Sequence, residues 1–105
     1  MDGCLTEQPK HVQNIQRVRQ ILLESIRRTG RIVAQMYQET LLSERERQLV
    51  ECQHTLWDKA ERLINLIESK PVQVYQSFMK ALKDTNQEFL CRILERTGYF
   101  FVSNI

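Results

Sequence analysis

The sequence has 105 residues and a formal charge of +2, enough for one domain and too few for two. Hydrophobic residues make up 42% and charged residues 27% of the chain, a balance that excludes disorder and a membrane protein as the leading class. The longest purely apolar run, Tyr99 to Val102, falls far short of the ~20 residues needed to span a bilayer, and the amino terminus lacks a signal-peptide layout, so a cytoplasmic location without a membrane partner is expected.

Met1 to Lys10 has no hydrophobic period and is expected to be a flexible lead-in over 1–10, followed by a domain over 11–97 and a tail over 98–105. Val12, Ile15, Val18, Leu22 and Ile26 recur at intervals of three and four and predict a first helix between His11 and Arg28. Arg19 intrudes on its apolar arc and Ile21 falls among its polar positions. A bend near Arg19 to Ile21 relieves both conflicts; alternatively, Arg19 snorkels its charge to the edge.

Thr29-Gly30 reads as a stop, after which Ile32, Val33, Met36 and Tyr37 predict a second helix ending near Glu39. Ser43 to Glu46 has the spacing of a capping box and opens a third helix carrying Leu49 and Val50. Cys52 to Thr55 reads as a loop. Thr55 and Asp58 suit the start of a fourth helix, in which Trp57, Ala60, Leu63, Ile64 and Ile67 share one side. Lys70-Pro71 breaks that helix and starts a fifth with the stripe Tyr75, Phe78, Met79 and Leu82. Thr85 to Glu88 has the form of a second capping box, introducing Phe89, Leu90, Ile93 and Leu94 in a sixth helix that ends at Thr97-Gly98. Core packing is the reading for Tyr75 and Phe78, and is favoured for Trp57 over a place at a contact surface.

Catalysis finds little support. Cys4, Cys52 and Cys91 form no close pair, and His11 and His54 have no triad or metal set around them. No cofactor or metal is expected, and Cys52 beside His54 reads as a small buried or loop residue. Charge is distributed unevenly. Six basic residues face three acidic ones between Met1 and Arg31, whereas Arg45 and Arg47 face Glu39, Glu44, Glu46 and Glu51 in the segment that follows.

Six short amphipathic helices predict an all-α bundle. The run Asp58-Lys59-Ala60, then Leu63-Ile64, Ile67, Lys70, Phe78, Ala81-Leu82, Thr85 and Leu90, together with the Leu41-Leu42-Ser43 turn, resembles the caspase recruitment domain (CARD), a branch of the death-fold superfamily. Arg92-Ile93-Leu94 lacks the Arg-x-Asp-Leu motif of the death effector branch. The resemblance implies a six-helix antiparallel Greek-key bundle with a bent or broken first helix. It also implies homotypic, non-catalytic binding in apoptotic or innate-immune signalling, with another CARD protein as partner: a caspase, a kinase, a NOD-like receptor or a scaffold. Self-association into filaments would follow from head-to-tail contacts.

Carried over by position, the implied basic surface comprises Arg17, Arg27, Arg28 and Arg62, and the implied acidic surface comprises Glu39, Glu44, Glu46 and Glu51. Arg45 and Arg47 dilute the second and Glu61 the first. Two alternatives remain: a CARD-only decoy that caps filaments, and a small helical nucleic-acid-binding domain using the arginines of the first helix, the latter disfavoured by the low net charge.

Overall fold

The computed structural model describes residues 9–97. Within them the chain forms seven helices and no strand: α1 (Lys10–Arg17), α2 (Arg19–Ser25), α3 (Thr29–Gln38), α4 (Glu44–Glu51), α5 (Leu56–Glu68), α6 (Val72–Asp84) and α7 (Glu88–Thr97). The expected lead-in, apart from Pro9 and Lys10, and the expected tail lie outside the described residues.

The predicted first helix is two helices. Val18 leaves helical geometry at φ −114° and ψ 18°, and the chain resumes as α2 one residue later. This break turns Arg19 away from the apolar arc, where its guanidinium reaches α5 and donates to Asn65 Oδ1 at 2.7 Å. Ile21 stays on the outside, 42% exposed. Of the two resolutions of the Arg19 conflict, the backbone takes the break.

The α2–α3 boundary differs from the sequence expectation. Thr29 and Gly30 do not stop a helix; they form the first turn of α3. The stop comes earlier, where Ile26 turns extended (φ −64°, ψ 133°), and Arg28, the residue that precedes α3, adopts the left-handed conformation (φ 58°, ψ 40°) that a glycine commonly supplies. Two other non-glycine residues do the same. Thr40 and Asn86 have φ 63° and 66°, and the residue after each donates to the carbonyl five back, Leu41 N–H to Met36 and Gln87 N–H to Leu82. This is the Schellman pattern that closes α3 and α6.

Both local caps in the middle of the chain form as their spacing predicts. The Ser43 hydroxyl accepts from the Glu46 N–H at 3.1 Å and the Glu46 carboxylate accepts from the Ser43 N–H at 2.9 Å. Thr55 caps α5 by accepting from the Asp58 N–H at 3.0 Å. Pro71 lies one position before α6 rather than at its first residue. The second capping box is absent: the Thr85 hydroxyl points back into α6, donating to the Ala81 carbonyl at 2.8 Å, and α7 opens after Gln87 instead.

The core is built around α5, which packs against α1, α2, α3, α4 and α6, while α6 and α7 complete the bundle. Ile15, Leu22, Ile32, Met36, Leu63, Ile64, Ile67, Phe78, Leu82, Leu90 and Leu94 are fully buried. Burying a side chain of this size contributes about 1.5–3 kcal/mol. Tyr75 and Phe78 lie inside, as their stripe requires. Trp57 does not: at the first turn of α5 it is 39% exposed, and Leu56 beside it is 52% exposed. Phe89 is half exposed, and Cys91 takes the inward place on α7.

Candidate functional site

The four arginines implied as a basic surface fall into two groups. Arg17 ends α1 and Arg62 lies on α5, a helix that packs beside α1, and both side chains are exposed. Arg27 and Arg28 form the α2–α3 corner, and α2 itself, ~10 Å long at 1.5 Å per residue, separates them from the α1 end. The seam between α2 and α5 carries acids, but Arg19 offsets them, reaching Glu68 Oε1 at 3.4 Å and Glu61 Oε2 at 4.0 Å.

At the corner the backbone is held from a distant part of the chain. The Arg27 N–H donates to Gln87 Oε1 at 2.7 Å, and Gln87 Nε2 donates to the Arg27 carbonyl at 2.8 Å. Gln87 Nε2 also donates to the Thr85 hydroxyl at 2.8 Å, so the amide is oriented as well as buried. The Arg27 guanidinium folds back to the carbonyls of Glu24 and Ile26, each at 3.0 Å, and so places positive charge at the end of α2 where helix carbonyls lack partners. Arg28 is left to present its side chain outward, while its carbonyl accepts the N–H groups of Arg31 and Ile32 that begin α3.

The four glutamates are all engaged. Arg47 joins Glu44 at 2.7 Å and Glu51 at 3.2 Å, and its guanidinium lies 5.3 Å from the Tyr37 ring centroid. The hydrogen bond from Arg47 holds the Glu44 carboxyl below its usual range, and raises Arg47 in turn. Burial would raise the Glu46 carboxyl, yet the Lys70 ammonium at 2.9 Å and the Ser43 N–H and hydroxyl together bring it below its ordinary value. Glu39 turns toward α6, accepting from the Ser77 hydroxyl at 2.6 Å with Lys80 at 3.6 Å. Glu44, Glu46 and Glu51 therefore share α4, whereas Glu39 faces a different neighbour.

Gln87 escaped sequence reasoning because nothing local marks it; it sits where a capping box was expected, and its partner is 60 positions away. His11, which the sequence sets apart from any triad or metal set, has a structural place that its spacing does not disclose. It is buried, packs its ring 5.4 Å from that of Tyr75, and places Nε2 3.4 Å from the Lys70 carbonyl.

Among the described residues no group of three or more His, Cys, Asp or Glu side chains could hold a metal ion. Cys52 and His54 are exposed in the α4–α5 loop, and burial raises the Cys91 thiol, which keeps it protonated and unreactive. No described helix is long and apolar enough to cross a membrane.

A family model, the caspase recruitment domain, matches residues 12–97. No curated protein matches the chain. Caspase recruitment domains are protein-interaction domains that typically bind other members of the same family, and they are generally non-catalytic. The match takes in nearly the whole of the described helical bundle, and on it the chain belongs to the caspase recruitment domain family.

Proposed function

We propose that the chain is an adaptor and oligomerisation module of apoptotic or innate-immune signalling in the cytoplasm. Its partner is another CARD protein, whether a caspase, a kinase, a NOD-like receptor or a scaffold. In this reading α1 and α2 are the halves of one broken helix, so the seven segments correspond to the six helices of a Greek-key death fold. The domain runs over 11–97, with 1–10 leading in and 98–105 following. Arg17, Arg27, Arg28 and Arg62 meet carboxylates of a neighbouring CARD, and Glu39, Glu44, Glu46 and Glu51 offer the complementary surface by exchanging their internal cation partners for a neighbour's arginines.

The observation that carries this reading is the α2–α3 corner. Arg28 is exposed on backbone that Gln87 holds through Arg27, so its side chain projects from a fixed place on the backbone. A held corner has less backbone entropy to lose on docking, and charge placed on it selects partners by position more than it adds raw affinity. Replacement Arg28→Glu tests it: pull-down of a partner CARD and light scattering should both fall, with the circular dichroism spectrum unchanged. Unchanged pull-down and scattering would remove the corner from the contact.

A second reading, a decoy that binds one end of an assembly and halts it, is favoured by the state of the acidic side. Glu44, Glu46 and Glu51 each have a cation partner within the same molecule. A molecule whose basic side is open while its acidic side is engaged in internal pairs would join a filament without extending it. Titration into a preformed partner filament separates seeding from capping. Nucleic-acid binding, the remaining alternative, would weaken steeply with salt; gel retardation at low salt tests it.

A further inference from the structure

Between α1, α6 and α7 lies a groove of about 520 Å³, within the size range of binding clefts. Tyr75 and Met79 form its floor, each less than a tenth exposed. Lys10, Lys80 and Lys83 stand around it, with Glu95 as the acidic member of the lining. Lys80 is drawn to Glu39 at 3.6 Å, which leaves Lys10 and Lys83 as the cations committed to the groove itself.

We infer that this groove docks an acidic peptide segment of a different protein, one that sets an apolar side chain over Tyr75 and Met79 and points carboxylates at Lys10 and Lys83. Two observations select this occupant. Among the described residues Lys10 and Lys83 stand against Glu95 around an apolar floor, so charge complementarity calls for an anionic partner with an apolar anchor. A second copy of the chain is a poor source of that anion, because the carboxylates of its own acidic segment are each held by an internal cation: Glu39 by Lys80, Glu44 and Glu51 by Arg47, and Glu46 by Lys70. A partner with unpaired carboxylates binds without first breaking such pairs. The groove includes none of the arginines or glutamates assigned to CARD contacts, so an occupant can bind while those contacts are made.

The test uses the full chain, labelled with nitrogen-15, and a short capped peptide alternating glutamate and leucine as the probe. A peptide alternating lysine and leucine serves as the control. The acidic probe is expected to shift the amide signals of Tyr75, Met79 and Lys83, and the control to leave them in place. In the double variant Lys10→Glu, Lys83→Glu, whose substitutions are at the surface, an unchanged spectrum reports the fold and Kd for the probe should rise about tenfold. Shifts centred away from the groove, equal binding of the basic peptide, or an unchanged Kd in the folded double variant would each overturn the assignment. Pull-down of a partner CARD by the same double variant should match wild type, so failure of the groove and failure of the CARD contact are read separately.

Discussion

The side-chain amide of Gln87 pairs with both backbone groups of Arg27, accepting from its N–H at 2.7 Å and donating to its carbonyl at 2.8 Å. A residue at the start of α7 thereby closes the corner between α2 and α3 as a strand partner would. Replacement Gln87→Ala leaves these groups without their partner at a part-buried site, where such a loss costs about 1–3 kcal/mol. A lower denaturant midpoint is expected, together with loss of exchange protection at the Arg27 amide. An unchanged midpoint would mean that water replaces the clamp without cost.

Arg28 combines a charge with a left-handed backbone, and two substitutions separate them. Such a conformation costs a non-glycine residue about 1–2 kcal/mol, while glycine gives back roughly 0.5–1 kcal/mol through the freedom of its unfolded state. Arg28→Gly should therefore be neutral or stabilising by up to about 1 kcal/mol, and Arg28→Glu near neutral, as thermal melts would show. Both should weaken binding of a partner CARD, the glutamate more severely. If the glycine variant alone retained full affinity, the charge would have no part in the contact.

The Ser43–Glu46 capping box gives a pH dependence of known sign. The Glu46 carboxyl is lowered in the folded protein from its ordinary value of 4.5. Its contribution is therefore present above that value and is lost as pH falls through the lower folded one. Acid titration of stability should show a loss below about pH 4.5 that Glu46→Gln flattens. Ser43→Ala should cost about 1 kcal/mol at neutral pH.

Arg19 and Glu68 form the tie between α2 and α5, with side chains 29% and 18% exposed. The second oxygen of Glu68 is buried without a hydrogen-bond partner among the described residues. Arg19→Leu would take the Arg19 cation from this carboxylate, and a loss of about 1–3 kcal/mol is expected. Adding Glu68→Gln should recover part of it, because a neutral amide is cheaper to bury. A double-mutant cycle by urea denaturation measures the coupling; additivity of the two changes would show that the ion pair contributes nothing.

What the sequence disclosed was what short-range chemistry decides. Ser43 with Glu46, and Thr55 with Asp58, act within one turn, so their spacing is enough to find them. The stripe from Tyr75 to Leu82 is set by helical period and lies inside as expected. Thr85 has the same local spelling as Ser43 and behaves otherwise, because α6 continues to Asp84 and its last carbonyls capture the hydroxyl first. Arg28 gives no sign of its left-handed backbone, since the cost is met by Gln87 far along the chain. On the candidate surfaces, residue type showed where charge accumulates but not how it is spent: the glutamates of α4 look available in sequence, and Arg47 and Lys70 already hold them.

The position of α5 governs how the molecule comes apart. Every helix but α7 leans directly on it, and α7 is fastened to α1 and α6. Withdrawing α5 uncovers the inward faces of five helices at once, although α3 still packs on α4 and α6. Unfolding should thus be all-or-none, with slowest hydrogen exchange at Leu63, Ile64 and Ile67. A partner that grips the surface of α5 would brace the whole domain against melting.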